Sequence, residues 1–252
     1  MPTYRYSNKN NICICCRQSK SVIKMEREGF GIKEFDSMIE GGIPKNSIVG
    51  ISGPPGVGKS IFSIHYIIEG ARQGQKSVYI NLEEPQTNID KLLHRFGMFD
   101  EVQKFIQEGL IIIRCIDFDA FEKTYPELLR KIRQNKDIKR LVIDSFNCFF
   151  NYYIGTTEPT EIMLRRLLHK SISTFRNINA TTVLTLEKDK ADTRLSNFSI
   201  SYLTDGHIML DFLEFGTIER RVFIPKMRWT DQDKDGRNYE IDSKGIKILK
   251  EQ

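Results

Sequence analysis

The chain has 252 residues, of which 40% are hydrophobic and 28% charged, and carries a net charge of +5. That suits one large α/β domain with a well-buried core, or at most two small ones. No apolar run nears the length of a membrane span. Asn8, Lys9, Asn10 and Asn11 break the apolar core that a secretory signal needs, so a soluble cytoplasmic protein is expected.

The positive charge is unevenly placed. The first 28 residues hold six basic side chains against two acidic ones, which accounts for four of the five net charges. A basic arm is possible; a basic body suited to nucleic acid is not. Residues 1–24 read as a polar extension and residues 25–252 as a single domain. In the arm, Cys13-x-Cys15-Cys16 lacks both a fourth ligand and the paired spacing of a zinc site, so free thiols are the simpler reading. Cys115 and Cys148 lie in apolar strand contexts and read as core residues.

Residues 31–39 have helical spacing at Ile32, Phe35, Met38 and Ile39, ended by Gly41, Gly42 and Pro44. A strand over 48–52 runs through a Gly-rich turn into a helix over about 60–73, closed by Gly74. Residues 77–82 are the next strand, followed by helices near 87–97 and 100–107 and a strand over 110–116. Pro126 can start a helix that runs to about Asn135. The strand 140–145 ends in an acid, Thr160 caps a helix over about 161–177, and 180–187 is a β-branched strand. Short strands follow near 206–213, 220–227, 238–242 and 246–249. Helices alternating with apolar strands predict a mostly parallel sheet flanked by helices, with an antiparallel β addition at the C-terminal side.

Residues 53–60 are Gly-Pro-Pro-Gly-Val-Gly-Lys-Ser, a complete phosphate-binding pattern directly after a strand. Gly53, Gly56 and Gly58 let the backbone curl, with Pro54, Pro55 and Val57 between them, so that successive N–H groups face phosphate oxygens. Lys59 supplies a point charge to the terminal phosphates, and Ser60 can ligate Mg²⁺. Ile61 opens the helix whose positive end faces the same anion. This points to ATP with magnesium.

Two acidic features complete the site. Asp144 ends an apolar strand, at the sheet edge where α/β proteins bind ligands, and would hold the metal's water shell. Glu83 and Glu84 follow strand 77–82 at that edge. Attack of water on a phosphate needs a carboxylate to orient the water and take its proton, and Glu83 is the better placed of the two.

These segments, together with Gly-Gly-Ile-Pro (41–44), Phe96-Gly97, Thr204-Asp-Gly206 and Lys226-Met-Arg228, resemble the KaiC-like branch of the RecA-type P-loop ATPases across residues 24–250. The resemblance implies a RecA-like core, ring-shaped homo-oligomers (hexamers), and ATP at the interface between subunits. Lys226 and Arg228 would then reach the terminal phosphate held by a neighbour, with Thr230 and Asp242 approaching from the same side. Trp229 stands where the family usually has a small Gly, and an acidic turn follows Asp231 where the family has a His. Thr185 and Glu187 would sense the terminal phosphate.

The expected activity is Mg-dependent ATP hydrolysis that signals to a protein partner as yet unnamed. Two alternatives stay open. One is a DNA-repair ATPase of the RecA-paralogue type; Phe149, Phe150, Tyr152, Tyr153, Lys188, Lys190 and Arg194 would supply its contacts, although Asp189 and Asp192 nearly cancel the second loop's charge. The other is an ATP-gated scaffold with little hydrolysis. Ser199, Ser201, Tyr202 and Thr204 resemble the self-phosphorylating region of clock KaiC proteins, but a plain Ser-rich loop is the favoured reading.

Overall fold

The computed structural model describes residues 25–148, 161–187, 203–215 and 217–249. The arm, its cysteines, Thr160, the aromatic and basic loop residues and Ser199, Ser201 and Tyr202 lie outside them.

The strands are β1 (Arg27–Glu28), β2 (Ile43–Pro44), β3 (Ile48–Gly53), β4 (Lys76–Asn81), β5 (Ile111–Cys115), β6 (Ile138–Asp144), β7 (Thr181–Glu187), β8 (Gly206–Phe215), β9 (Thr217–Met227), β10 (Arg237–Asp242) and β11 (Gly245–Ile248). The helices are α1 (Lys33–Ser37), α2 (Lys59–Arg72), α3 (Gln86–Arg95), α4 (Phe99–Gln107), α5 (Phe121–Gln134) and α6 (Glu161–Arg176). Strands β3 to β11 form one nine-stranded sheet in the order β11-β10-β9-β8-β3-β7-β6-β4-β5. From β5 across to β8 the pairing is parallel; β8, β9, β10 and β11 run antiparallel. The mostly parallel sheet with its antiparallel addition is as expected.

Helices cover both faces, which is why the central strands are continuous apolar runs and not alternating ones. All six residues of β3 are buried. One face packs under α2 through Phe62, Ile64, Ile67 and Ile68, joined by Phe30, Phe35 and Tyr239. The other packs under α5 and α6 through Phe121, Tyr125, Ile132, Leu168, Ile172 and Phe175. Each such side chain contributes about 1.5–3 kcal/mol on full burial.

Two local expectations differ from the fold. Helix α5 starts at Phe121, five residues before Pro126, which lies inside it. Phe121 and Tyr125 are both buried and their rings stack at 4.7 Å. Docking them on the sheet outweighs the one helical hydrogen bond that Pro126 cannot donate. The pair β1–β2 was not anticipated, because two-residue strands carry no periodicity. It holds Glu28 in the interior, where Tyr66 donates to Glu28 Oε2 at 2.8 Å and the fully buried Arg140 guanidinium lies 3.8 Å away.

Candidate functional site

Strand β3 ends at Gly53, where a Cβ would sit 2.3 Å from the carbonyl oxygen of Leu210 on β8; only glycine fits. Gly56 and Gly58 have φ of +74° and +110°, the left-handed region that lets the chain curl back. Val57 is fully buried, and its carbonyl accepts a 2.6 Å hydrogen bond from Tyr239 on β10, tying the loop to the antiparallel strands. Gly58 caps α2 without a side chain to satisfy the first-turn N–H groups, so these donors and the helix's positive end face the loop. An anion fits this cradle of donors.

Lys59 is buried, and its ammonium donates to the carbonyls of Gly53 (2.9 Å) and Pro54 (3.1 Å). Glu187 Oε1 lies 3.9 Å away. Burial pushes the lysine's pKa down, opposed by the charges of Glu187, Asp144 and Glu83. The charges of all three carboxylates thus act on one cation at the carboxyl edge of the parallel strands.

Asp144 is buried at the end of β6, level with Asn81 on β4. Both of its oxygens are held: the Tyr79 hydroxyl donates to Oδ2 and the Thr185 hydroxyl to Oδ1. Burial, followed by the Asp144 charge, raises the Tyr79 pKa well above its ordinary value, so the phenol remains a donor. Ser60, at the start of α2, acts on the same phenol in the opposite sense, lowering its pKa. Serine and carboxylate oxygens converging beside a phosphate cradle suit a hard cation such as Mg²⁺, which keeps most of its own waters. Among the described residues no group of three His, Cys, Asp or Glu side chains gathers to hold a metal.

Glu83 and Glu84 follow β4 and are exposed. Asn81 fixes their position, its Oδ1 accepting the backbone N–H groups of Glu83 (2.9 Å) and Glu84 (2.7 Å). The Cys148 thiol donates to Glu83 Oε1 at 3.2 Å. Burial, the bond to Glu83 and its charge push the Cys148 pKa up to about 12. Glu187 is held by Asn147, which accepts the Glu187 N–H (2.8 Å) and donates to its carbonyl (3.2 Å). Cys148 and Cys115 are both half-buried at this edge and not in the core: Cys115 ends the outermost strand β5, and Cys148 lies four residues past the end of β6.

Lys226 and Arg228 lie at the other edge. Met227 is level with Gly206, and Gly206 with Val49 near the start of β3. Four residues of strand, about 13 Å, therefore separate them from the level of Gly53. Lys226 donates to the carbonyl of Thr204 (2.8 Å), and Arg228 pairs with the buried Asp205 (3.1 Å). Thr230 shares this edge, accepting from Arg27 at 2.8 Å. Asp242 does not. Strand β10 runs back toward the phosphate loop, so Ile241 Cδ1 lies 3.0 Å from where a Cβ on Gly58 would be. Antiparallel strands end at opposite edges, which is why the expected grouping of Thr230 with Asp242 fails.

Sequence reasoning passed over Tyr79, Asn81, Asn147 and the Cys148 contact. Each polar group signals little alone; their meaning comes from the pairing of β4 with β6 and of β6 with β7.

A family model for the ATPase KaiC matches residues 29–252. A UPF0273 protein of Thermotoga maritima is 28% identical over 242 residues, covering 89% of this chain and 96% of its own. One from Aeropyrum pernix is 27% identical over 239 residues, covering 88% and 93%. The circadian clock oscillator protein KaiC of a Nostoc species is 25% identical over 247 residues, 92% of this chain but 46% of that protein. The crystal structure of a KaiC-like protein from Pyrococcus horikoshii superposes with a TM-score of 0.74 at 29% identity, over 90% of this chain and 100% of that one. With the phosphate loop, the strand-end aspartate and the paired glutamates in their places on a RecA-like sheet, the chain belongs to the KaiC family of ATPases.

Proposed function

We propose that this protein is a cytoplasmic, Mg-dependent ATPase that works as a ring of identical subunits, hexameric as the family resemblance implies, and signals its nucleotide state to a protein partner. Residues 25–252 would form the ATPase unit and residues 1–24 an appended arm. The observation that carries the reading is the glycine-curled loop with its buried Lys59, whose ammonium lies 3.9 Å from Glu187 and feels the charges of Asp144 and Glu83. Among the described residues no helix is long and apolar enough to cross a membrane.

In this reading the loop N–H groups and the first turn of α2 bind the phosphates. Lys59 leaves the carbonyls of Gly53 and Pro54 for the terminal phosphate oxygens. Ser60 and Asp144 hold the magnesium, with Tyr79 and Thr185 orienting the carboxylate; the bound ion would neutralise charge developing on the phosphate oxygens. Glu83 positions a water and accepts its proton, with Glu84 beside it. Lys226 and Arg228, too far from their own loop, serve the site of the adjacent subunit.

The test is calorimetry with turnover. Lys59→Ala should abolish ATP binding. Glu83→Gln with Glu84→Gln should keep binding but stop phosphate release. Unchanged affinity in the first variant would overturn the loop assignment, and persisting turnover in the second would place the base elsewhere. Wild-type protein that binds ATP without releasing phosphate would favour the scaffold reading, and salt-sensitive capture of single-stranded DNA the repair reading.

A further inference from the structure

A groove opens between α5 and α6, on the face of the sheet opposite α2, the helix that follows the phosphate loop. It holds about 450 Å³, within the range of small-molecule sites. Its floor is apolar. Tyr125, Phe175 and Ile178 are buried there, and Leu129 is half-buried beside them. The Tyr125 ring stacks on Phe121, and the Phe175 ring meets Phe146 edge-on at 6.0 Å, which fixes both from behind.

The rim carries one sign of charge. Arg130 and Arg133 stand on α5 and Lys170 on α6, all three exposed, and among the described residues no carboxylate lines the groove. The nearby acids are placed elsewhere. Glu127 faces the other flank of α5, where it pairs with Lys131 at 2.9 Å. Lys131 foremost, with smaller help from Arg130, holds the Glu127 carboxyl below its usual range. Glu122 lies in the first turn of α5, ahead of the lining residues, and Asp137 follows the helix's end. Arg130 and Arg133 are one turn apart and repel each other, a cost that a bound anion relieves.

We propose that this groove is a binding site for a small amphipathic carboxylic acid, its apolar body on the floor and its carboxylate held by the basic rim. Guanidinium groups match a carboxylate in shape as well as charge. A neutral apolar ligand would leave the rim unanswered, and a cation would be repelled. The chain's own arm is no match, since residues 1–24 carry five basic and no acidic side chains. The site stands apart from the phosphate loop and does not rest on ATP hydrolysis.

Calorimetric titration of the full chain with sodium laurate, below its micelle concentration, should show one molecule bound per chain. Dodecyltrimethylammonium, the same alkyl chain with a cationic head, should not bind. Saturating Mg-ATP should leave laurate affinity unchanged, because α2 and the groove lie on opposite faces of the sheet. Arg130→Glu with Arg133→Glu, at exposed positions that spare the fold, should weaken laurate about tenfold or more and admit the cation. Thr174→Trp should block the groove to both; if a thermal melt finds it unfolded, the charge-reversed pair decides. The proposal is overturned if laurate does not bind, if wild type binds the cation as tightly, if charge reversal leaves laurate affinity intact, or if Mg-ATP displaces laurate. Capture by phosphatidylglycerol vesicles without binding of monomeric laurate would overturn it in favour of a membrane surface.

Discussion

Arg228 is joined to Asp205 twice, through its backbone N–H to the Asp205 carbonyl at 2.9 Å and through Nη1 to Oδ1 at 3.1 Å. Asp205 also accepts from both terminal nitrogens of Arg176, at 3.1 Å each, and from the Ile48 N–H at 3.0 Å. One carboxylate at 1% exposure thus links the start of β3, the end of α6 and the turn after β9.

Asp205→Ala should therefore destabilise the fold and free the Arg228 head. Removing one partner of a fully buried pair costs about 3–5 kcal/mol. Both guanidinium groups are nearly half exposed and can hydrate, so about 2 kcal/mol is expected here. Urea unfolding measures this; an unchanged urea midpoint would show that Asp205 is not the link between these elements.

Tyr79→Phe keeps the ring and deletes the hydroxyl that holds Asp144 Oδ2. A buried carboxylate oxygen short of a donor costs about 1–3 kcal/mol. The thermal midpoint should fall, and the magnesium concentration needed for half-maximal nucleotide binding should rise; an unchanged magnesium titration would separate Tyr79 from the metal role.

Two partly buried groups give opposite pH slopes. His65 on α2 accepts the Ile246 N–H at 3.2 Å, and burial, aided by Arg72, lowers its pKa to about 4 against pulls from Asp242 and Glu101. The unfolded imidazole takes its proton near 6.5, so this term loses stability as pH falls from about 6.5 to about 4, by about 3 kcal/mol in all. Asp36 accepts the N–H groups of Phe30 and Gly31, yet burial raises its pKa to about 6. Its folded form holds the proton more tightly than the unfolded form, so this term gains stability as pH falls from about 6 to 3.8. Measured by urea midpoints at pH 6.5 and 4.5, His65→Gln should gain stability relative to wild type on acidification, and Asp36→Asn should lose it. The same sign in both variants would contradict these assignments.

Cys148 should resist alkylation despite its half exposure, because its thiol carries a pKa of about 12 and only the thiolate reacts. Glu83→Gln removes the charge that helps raise it and leaves only a neutral amide oxygen, a weaker acceptor, for the thiol. Peptide mapping after iodoacetamide treatment at pH 8 should then find Cys148 modified several-fold faster, with Cys115 little changed.

Much of this architecture is legible along the chain. Most strands and helices fall within a residue or two of their expected places, because fully buried parallel strands are unbroken apolar runs bounded by Gly and polar residues. Helix α5 is the instructive exception. A proline signal near its start was outweighed by the stacking of Phe121 and Tyr125 against a sheet that local sequence cannot reveal. The cysteines at 115 and 148 misled for the same reason, since an apolar neighbourhood in sequence does not say whether a strand end lies inside or at the rim.

The order of residues alone dictated the phosphate loop, since conformationally free glycines, a lysine and a hydroxyl need no distant partner to declare their chemistry. It also dictated that acids would close the strands 77–82 and 140–145. Tertiary structure decided how those acids are held, through Tyr79, Thr185, Asn81 and Cys148, and which edge each cation serves. Strand order and register bring together groups far apart in the chain, 65 positions for the bond from Tyr79 to Asp144 and 182 for that from Tyr239 to Val57. Antiparallel pairing sent Asp242 to the loop's own side and left Lys226, Arg228 and Trp229 facing away from it. Such pairings arise from burial summed over whole faces of the sheet, a quantity that no local stretch of chain contains.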